Sequence, residues 1–235
     1  MKRLTLVLWL LSAPAFAGSF TLGAGNGSEA NGAWLSFNSK PTNYGTATSL
    51  YLGGDSASTG YAYLIFNWPA LKDSLYNNTV DACTLFVYVS FNENTDGLYG
   101  CNQIRSGRDW TESGVSWNNY KASTAWTVGG ARDNSSDSYP TVVAAATETE
   151  MTEGSYHGFA ITSIARQWDG ADTANCRGVI IKQYGGTDPG QLTIPSDDFA
   201  TVGQRPKIKV VYHAGIDAPI AARRRKTIER YVNSE

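Results

Sequence analysis

Short apolar stretches bounded by clusters of Gly, Asn, Asp and Ser recur along this chain, and several alternate residue by residue between two kinds of side chain. Successive side chains of a strand point to opposite faces, so a two-residue period marks a sheet with one buried face. The pattern predicts strands over Ala33–Phe37, Ser49–Leu52, Ala62–Trp68, Val80–Phe91, Tyr99–Ile104, Tyr139–Ala145, Gly158–Ile161, Gly178–Tyr184, Leu192–Ile194 and Pro206–Tyr212. That spacing calls for a β-sandwich or barrel of about ten strands. One stretch departs from it. "ITSIARQWDG" sets Ile161, Ile164, Ala165 and Trp168 at helical spacing before Gly170, which predicts a single short helix over one end of the sheets.

Alternation also nominates a binding face. In "YAYLIFNW" it sends Ala62, Leu64, Phe66 and Trp68 inward and Tyr61, Tyr63, Ile65 and Asn67 outward. In "DACTLFVYV" it puts Cys83, Leu85, Val87 and Val89 on one face and Thr84, Phe86 and Tyr88 on the other. If the two strands pair nearby, Tyr61, Tyr63, Asn67, Phe86 and Tyr88 form one exposed strip on which a sugar chain could lie. Rings would stack on sugar faces and the amide would take hydroxyls, favouring a neutral glycan. An anionic glycan would need a local cluster drawn from Arg105, Lys182 or Lys207.

Met1 to Ala17 reads as a secretory leader: Lys2 and Arg3, an apolar run from Leu4 to Leu11, then "SAPAFA". Cleavage is expected after Ala17, and the apolar run is well short of a membrane span. The protein is therefore expected to be secreted, with domain boundaries of 1–17, 18–214 and a basic tail over 215–235. From Gly18 to Ile216 there are 18 acidic and 12 basic residues, a net charge of −6, which disfavours nucleic acid as a partner. The tail from Asp217 to Glu235 carries +2 and places Ile228, Tyr231 and Val232 on one helical face, which suggests either a C-terminal helix that docks on an acidic neighbour, its own domain or another copy in self-association, or a solvated tail.

Three cysteines allow one disulfide at most. Cys83 falls on the aliphatic face of its strand, which leaves Cys101 and Cys176 as the expected pair, although spacing does not fix connectivity. Catalytic patterns are lacking: His157 and His213 lie in no HExxH, no GxSxG occurs, and Glu112 has no partner carboxylate that spacing can nominate. No enzyme activity and no cofactor are expected. Asp197 and Asp198 in "PSDDFA" are oxygen donors of the kind that Ca²⁺ prefers, and exposed loop acids account for them equally well.

The order of segments carries more than any one of them. "NYGTATSLYLGG", "YLIFNW", "ACTLFVYV", "DWTESGVSWNN", "ITSIARQWDG", "GVIIKQY" and "FATVGQRPKIKVVY" follow one another over Ala33 to Tyr212. In that order they resemble the DNRLRE-type domains of secreted and surface proteins. The resemblance implies a jelly-roll β-sandwich and overlaps carbohydrate-binding modules, some of which bind alginate. The chain departs from the pattern at Asn31, where such domains carry an aspartate, and at Ile65, where they carry an arginine. Because W-T-E-x-x-V-x-W-x-N recurs in domains with different partners, Trp110 and Trp117 are expected to close the core, as is Trp168 from the helix. Two functions remain: a non-catalytic module binding polysaccharide or a surface glycan, and a structural subunit of an extracellular filament, coat or particle. No catalytic domain occurs within the chain, which favours the second; the tyrosine row favours the first.

Overall fold

The computed structural model describes residues 17–25, 30–55, 58–68, 70–75, 78–93, 95–168, 177–185 and 190–214. Residues 1–16 of the expected leader, Cys176 and the basic tail lie outside them. Fourteen strands are formed among the described residues: β1 (Ala17–Gly23), β2 (Asn31–Ser36), β3 (Ser49–Asp55), β4 (Ser58–Asn67), β5 (Asn78–Val89), β6 (Phe91–Asn92), β7 (Leu98–Gln103), β8 (Asn119–Lys121), β9 (Thr124–Ala125), β10 (Ala144–Thr147), β11 (Ser155–Ala160), β12 (Val179–Gly185), β13 (Gln191–Pro195) and β14 (Lys207–Ala214). Two one-turn helices accompany them, α1 (Leu71–Ser74) and α2 (Thr162–Ala165).

One antiparallel sheet runs β1-β14-β5-β11. The other runs β10-β7-β12-β4-β3-β13-β6, with β2 on β4. The inward residues meet between the sheets: Leu85, Val87, Ile208 and Val210 from the first, Leu64, Phe66, Val179 and Ile181 from the second. The expected all-β sandwich is therefore the observed architecture. α2 lies where the helical spacing put it. Ile161, Ile164, Ala165 and Trp168 all belong to the core, and the Thr162 hydroxyl accepts the Cys83 backbone N–H at 3.0 Å.

Three expectations need revision. β1 was not anticipated, although Phe20 and Leu22 alternate in it; it pairs with β14 from Ala17 opposite His213 to Gly23 opposite Lys207. The strand expected from Tyr139 forms only at Ala144. Pro140 has no N–H to donate, and the Asn102 side-chain amide takes the carbonyls of Tyr139 and Thr141, both at 3.1 Å. Cys101 is a buried free thiol. Cys101 sits on the inner side of β7 in the core, where burial pushes its thiol pKa up strongly, rather than in the bond expected with Cys176.

Candidate functional site

The strip nominated from alternation is divided by the fold. β5 pairs with β14 and β11, whereas β4 belongs to the opposite sheet. The outward faces of β4 and β5 therefore look away from each other across the sandwich, and Tyr63 and Asn67 cannot share a surface with Phe86 and Tyr88. Tyr61 lies in β4, and its side chain is outside the described residues. Tyr63 does point away from the main core, as alternation requires, yet only 6% of it is exposed. Asn67 is half-buried, with its Oδ1 unpartnered.

What covers Tyr63 is the long excursion between β7 and β10. It lays Trp110, Val115, Trp117, Tyr120 and Trp126 over Ala33, Leu35, Tyr63, Ile65 and Ile180, making a second apolar layer outside the sheet. Trp117 packs 5.2 Å from the Tyr63 ring, and the Trp110 indole N–H donates to the Arg177 carbonyl at 2.8 Å. A buried carboxylate anchors this layer. Asp137 is fully buried and accepts from Arg108 Nε at 2.8 Å and from the backbone N–H groups of Thr127 and Val128 at 3.0 and 2.9 Å. Nearby, Lys182 Nζ donates to the Ala131 carbonyl and the Ser138 hydroxyl, both at 2.7 Å. Burial pulls the Lys182 ammonium down to about 8, against the opposing pull of Asp137. Lys182 is thus engaged inside the protein, and Arg105 lies against the Tyr139 ring at 4.1 Å.

On the opposite sheet, Phe86 and Tyr88 are half-buried with Tyr156 of β11, at ring separations of 6.5 and 5.4 Å. Lys207 of β14 caps Tyr156, its Nζ 3.7 Å from the ring centroid. The Tyr156 hydroxyl reaches the carbonyls of Gly203 and Arg205 at 2.7 and 2.8 Å, and burial with Tyr88 beside it raises that phenol to about 12. These rings largely satisfy one another.

A more open arrangement lies where the end of β2 meets β3 and the start of β13. A cavity of about 230 Å³ is lined by Trp34, Ser36, Asn38, Ser39, Tyr51 and Gln191, with Gly53, Gly54, Leu52 and Ala62 as its remaining walls. Trp34 is gripped by two tyrosines: it stacks on Tyr44 at 4.1 Å and meets Tyr51 edge-on at 5.0 Å. Its indole N–H has no partner. Gly53 is required here because its φ is +101° and a Cβ would collide with the Gly190 backbone. The sequence held a signal for this site: alternation in "GAWLSF" puts Trp34 on the same side as Ser36, opposite Ala33 and Leu35. A tryptophan sharing a face with a serine is suited to a partly wet environment.

The model of carbohydrate-binding module family 96 matches residues 28–174, well over half of the chain. The chain belongs to that family. Families of this kind are non-catalytic carbohydrate-binding domains. A search of curated proteins finds no match. Among solved structures, a chain in "Structure of infectious bursal disease virus Gx strain" is similar at 10% identity, covering 86% of this chain and 37% of that one, with a TM-score of 0.19. The present chain thus spans little more than a third of that viral chain. The stretch matched by the family-96 model contains Trp34, Tyr51, Phe86, Tyr88, Trp110 and Trp117; Gln191 lies beyond it.

The family-96 module also brings together carboxylates that spacing could not pair. Glu112 Oε1 accepts the Gly32 N–H at 2.8 Å, and a Cβ on Gly32 would stand 2.8 Å from Asp197 Oδ1, so both side chains converge on one glycine. Burial raises both carboxyls, Asp197 to about 8 with the charge of Glu112 adding to it, whereas a hydrogen bond between the two side chains opposes the rise at Glu112. Asp198, beside Asp197 in sequence, is exposed. Among the described residues, no group of three or more His, Cys, Asp or Glu converges as a ready-made metal cage, and no helix is long and apolar enough to cross a membrane.

Proposed function

We propose that this module binds a neutral polysaccharide in the Trp34–Tyr51 cleft, without catalysis, after export directed by its leader. The observation that carries the reading is a pair of rings, Trp34 and Tyr51, lining a concavity among hydroxyl and amide side chains. A sugar ring offers an apolar face for Trp34 or Tyr51 and hydroxyls for Ser36, Ser39 and Gln191, the mixture that ligand pockets use for orientation. Among the described residues no charged side chain lines the cleft, which favours a neutral chain over a uronate polymer. The segment order resembling DNRLRE-type domains fits the same reading, since those domains are exported or surface-bound.

Glu112 and Asp197 do not alter this view. Glycosidases hold their two carboxyls about 5–9.5 Å apart to flank a bond, whereas these two interact directly.

The reading is tested by retention on insoluble polysaccharides. Tyr51→Ala is expected to weaken retention about tenfold, roughly 1.4 kcal/mol. Trp34→Phe, which keeps a ring but offers less stacking area, is expected to weaken it about two- to tenfold. Both should melt within a few degrees of the parent. The structural-subunit reading rests on the Phe86–Tyr88–Tyr156 face, which Tyr88→Ala would alter. If Tyr88→Ala abolishes assembly seen by light scattering while the cleft variants retain polysaccharide normally, that second reading replaces the first.

A further inference from the structure

A buried carboxamide is costly to leave unpaired, so one that faces open space marks a place where a partner from outside the chain is expected. Gln103, the last residue of β7, is such a group. It is 4% exposed, and its side-chain amide makes no hydrogen bond with another described residue, yet it lines a cavity of about 170 Å³ together with Tyr139, Thr141, Val143, Ser163 and Gln167. That space is about the liquid volume of five or six waters. Both walls are tied down. The Tyr139 and Val143 N–H groups donate to the carbonyls of Gln103 and Cys101, both at 2.9 Å, and the Arg105 guanidinium covers one face of the Tyr139 ring. Across the cavity, Ile164 and Ala165 anchor α2 in the core, and Ser163 and Gln167, four positions apart, share the side that looks onto the cavity.

We propose that this cavity is a second carbohydrate site, which takes one neutral pyranose at the end of a glycan chain. Gln103, being buried, forms its floor; Thr141 and Gln167, being exposed, form its rim. The two carboxamides and the hydroxyls of Tyr139, Thr141 and Ser163 can each donate and accept, as sugar hydroxyls do, while Val143 offers an apolar wall to C–H groups. Among the described residues no charged side chain lines the cavity, so a phosphate or uronate finds no counter-ion there. Arg105 is engaged with the Tyr139 ring and, through Nη2, with the Asn134 carbonyl. In the sheet, β12 and β4 separate β7 from β3 by three strand spacings, about 14 Å, which makes the cavity distinct from the Trp34–Tyr51 cleft. A site for chain ends beside a site for chain interiors lets one module hold two glycans, or one glycan twice.

The test uses the whole exported chain, isotope-labelled for NMR and titrated with the methyl glycosides of glucose, galactose, mannose and xylose, with methyl glucuronide as the charged control. Few atoms make the contact, so a Kd of about 1 mM is expected. At least one neutral glycoside should shift the Gln103 side-chain amide and the backbone amides of Ser163 and Gln167, and the glucuronide should shift none of them. Gln103→Leu keeps the bulk and removes the amide; it should melt with the parent and bind about tenfold more weakly at the cavity. Thr141→Trp, on the exposed rim, should block entry without disturbing the floor, and it serves even where Gln103→Leu proves unstable. Shifts confined to Trp34 and Tyr51 would overturn the second site and leave the cleft standing. Cavity shifts that survive both substitutions overturn it as well, because the sugar then lies elsewhere, and equal shifts with the glucuronide overturn the neutral assignment. Shifts at the cavity with none at the cleft would uphold this site and remove the cleft, whereas a silent spectrum would remove both.

Discussion

Replacing Asp137 by Ala is expected to destabilise the fold by about 3–5 kcal/mol, a large share of a domain's roughly 5–15. The carboxylate is fully buried and serves Arg108, two backbone N–H groups of the 127–128 turn, and the Asp133 N–H at 3.4 Å. Removing it leaves a guanidinium and several amides facing one another in a dry place, and that unpaired state is costlier than the pair was favourable. Chemical denaturation should register the full loss, and Tm should fall by about 10 °C. Salt should change little, because a buried pair is weakly screened. A loss under 1 kcal/mol would mean that the excursion between β7 and β10 is held by its rings alone. The amide protons of Thr127 and Val128 provide a local check: their exchange should accelerate in the variant more than that of β5.

Asp137 also marks the limit of what could be read from the sequence. The strand positions and α2 were legible because a period of two or of 3.6 is a local property, and burial reinforces it at each residue. The inward set of β4, Leu64 and Phe66, with Trp68 just after it, was legible for the same reason. Which strands neighbour one another is not local. β4 and β5 follow in sequence but enter opposite sheets, and this separated Tyr63 from Tyr88. Alternation tells which side of a strand a residue occupies; it does not tell whether that side is wet. Tyr63 was placed on the correct side, and the side was covered by residues that begin some forty positions later. Long-range polar pairs were equally hidden. Glu112 and Asp197 meet only because β13 ends beside the start of β2, and Asp137 reads in sequence as an ordinary acid in "DNSSDS". Pro140 is the converse case, since a local signal for breaking a strand was present in "SYPTVV" and outweighs the apolar run around it.

Trp117→Ala is the second substitution expected to act strongly, at about 3–5 kcal/mol. The indole is 2% exposed and forms the centre of the outer layer: Phe37 meets it edge-on at 5.3 Å, Tyr63 lies against it at 5.2 Å, and the Arg132 guanidinium stands 5.4 Å from its ring. Gly129 and Gly130 show how tightly it is enclosed, since a Cβ on either would lie 2.7–2.8 Å from the indole. The cavity left by alanine cannot collapse easily, because the sheet beneath is fixed by ladders on both sides of β4 and the loop above by Asp137. Gly130→Ala should lower stability in the same direction by about 1–3 kcal/mol, from overpacking and from its φ of +75°. Thermal melts and polysaccharide retention, measured together below the variant's melting range, separate two roles for the ring. A large drop in Tm with retention near that of the parent is expected, because the cleft at Trp34 and Tyr51 is built from other residues. An unchanged melt with retention lost would make Trp117 a ligand platform and would move the binding site to the outer layer.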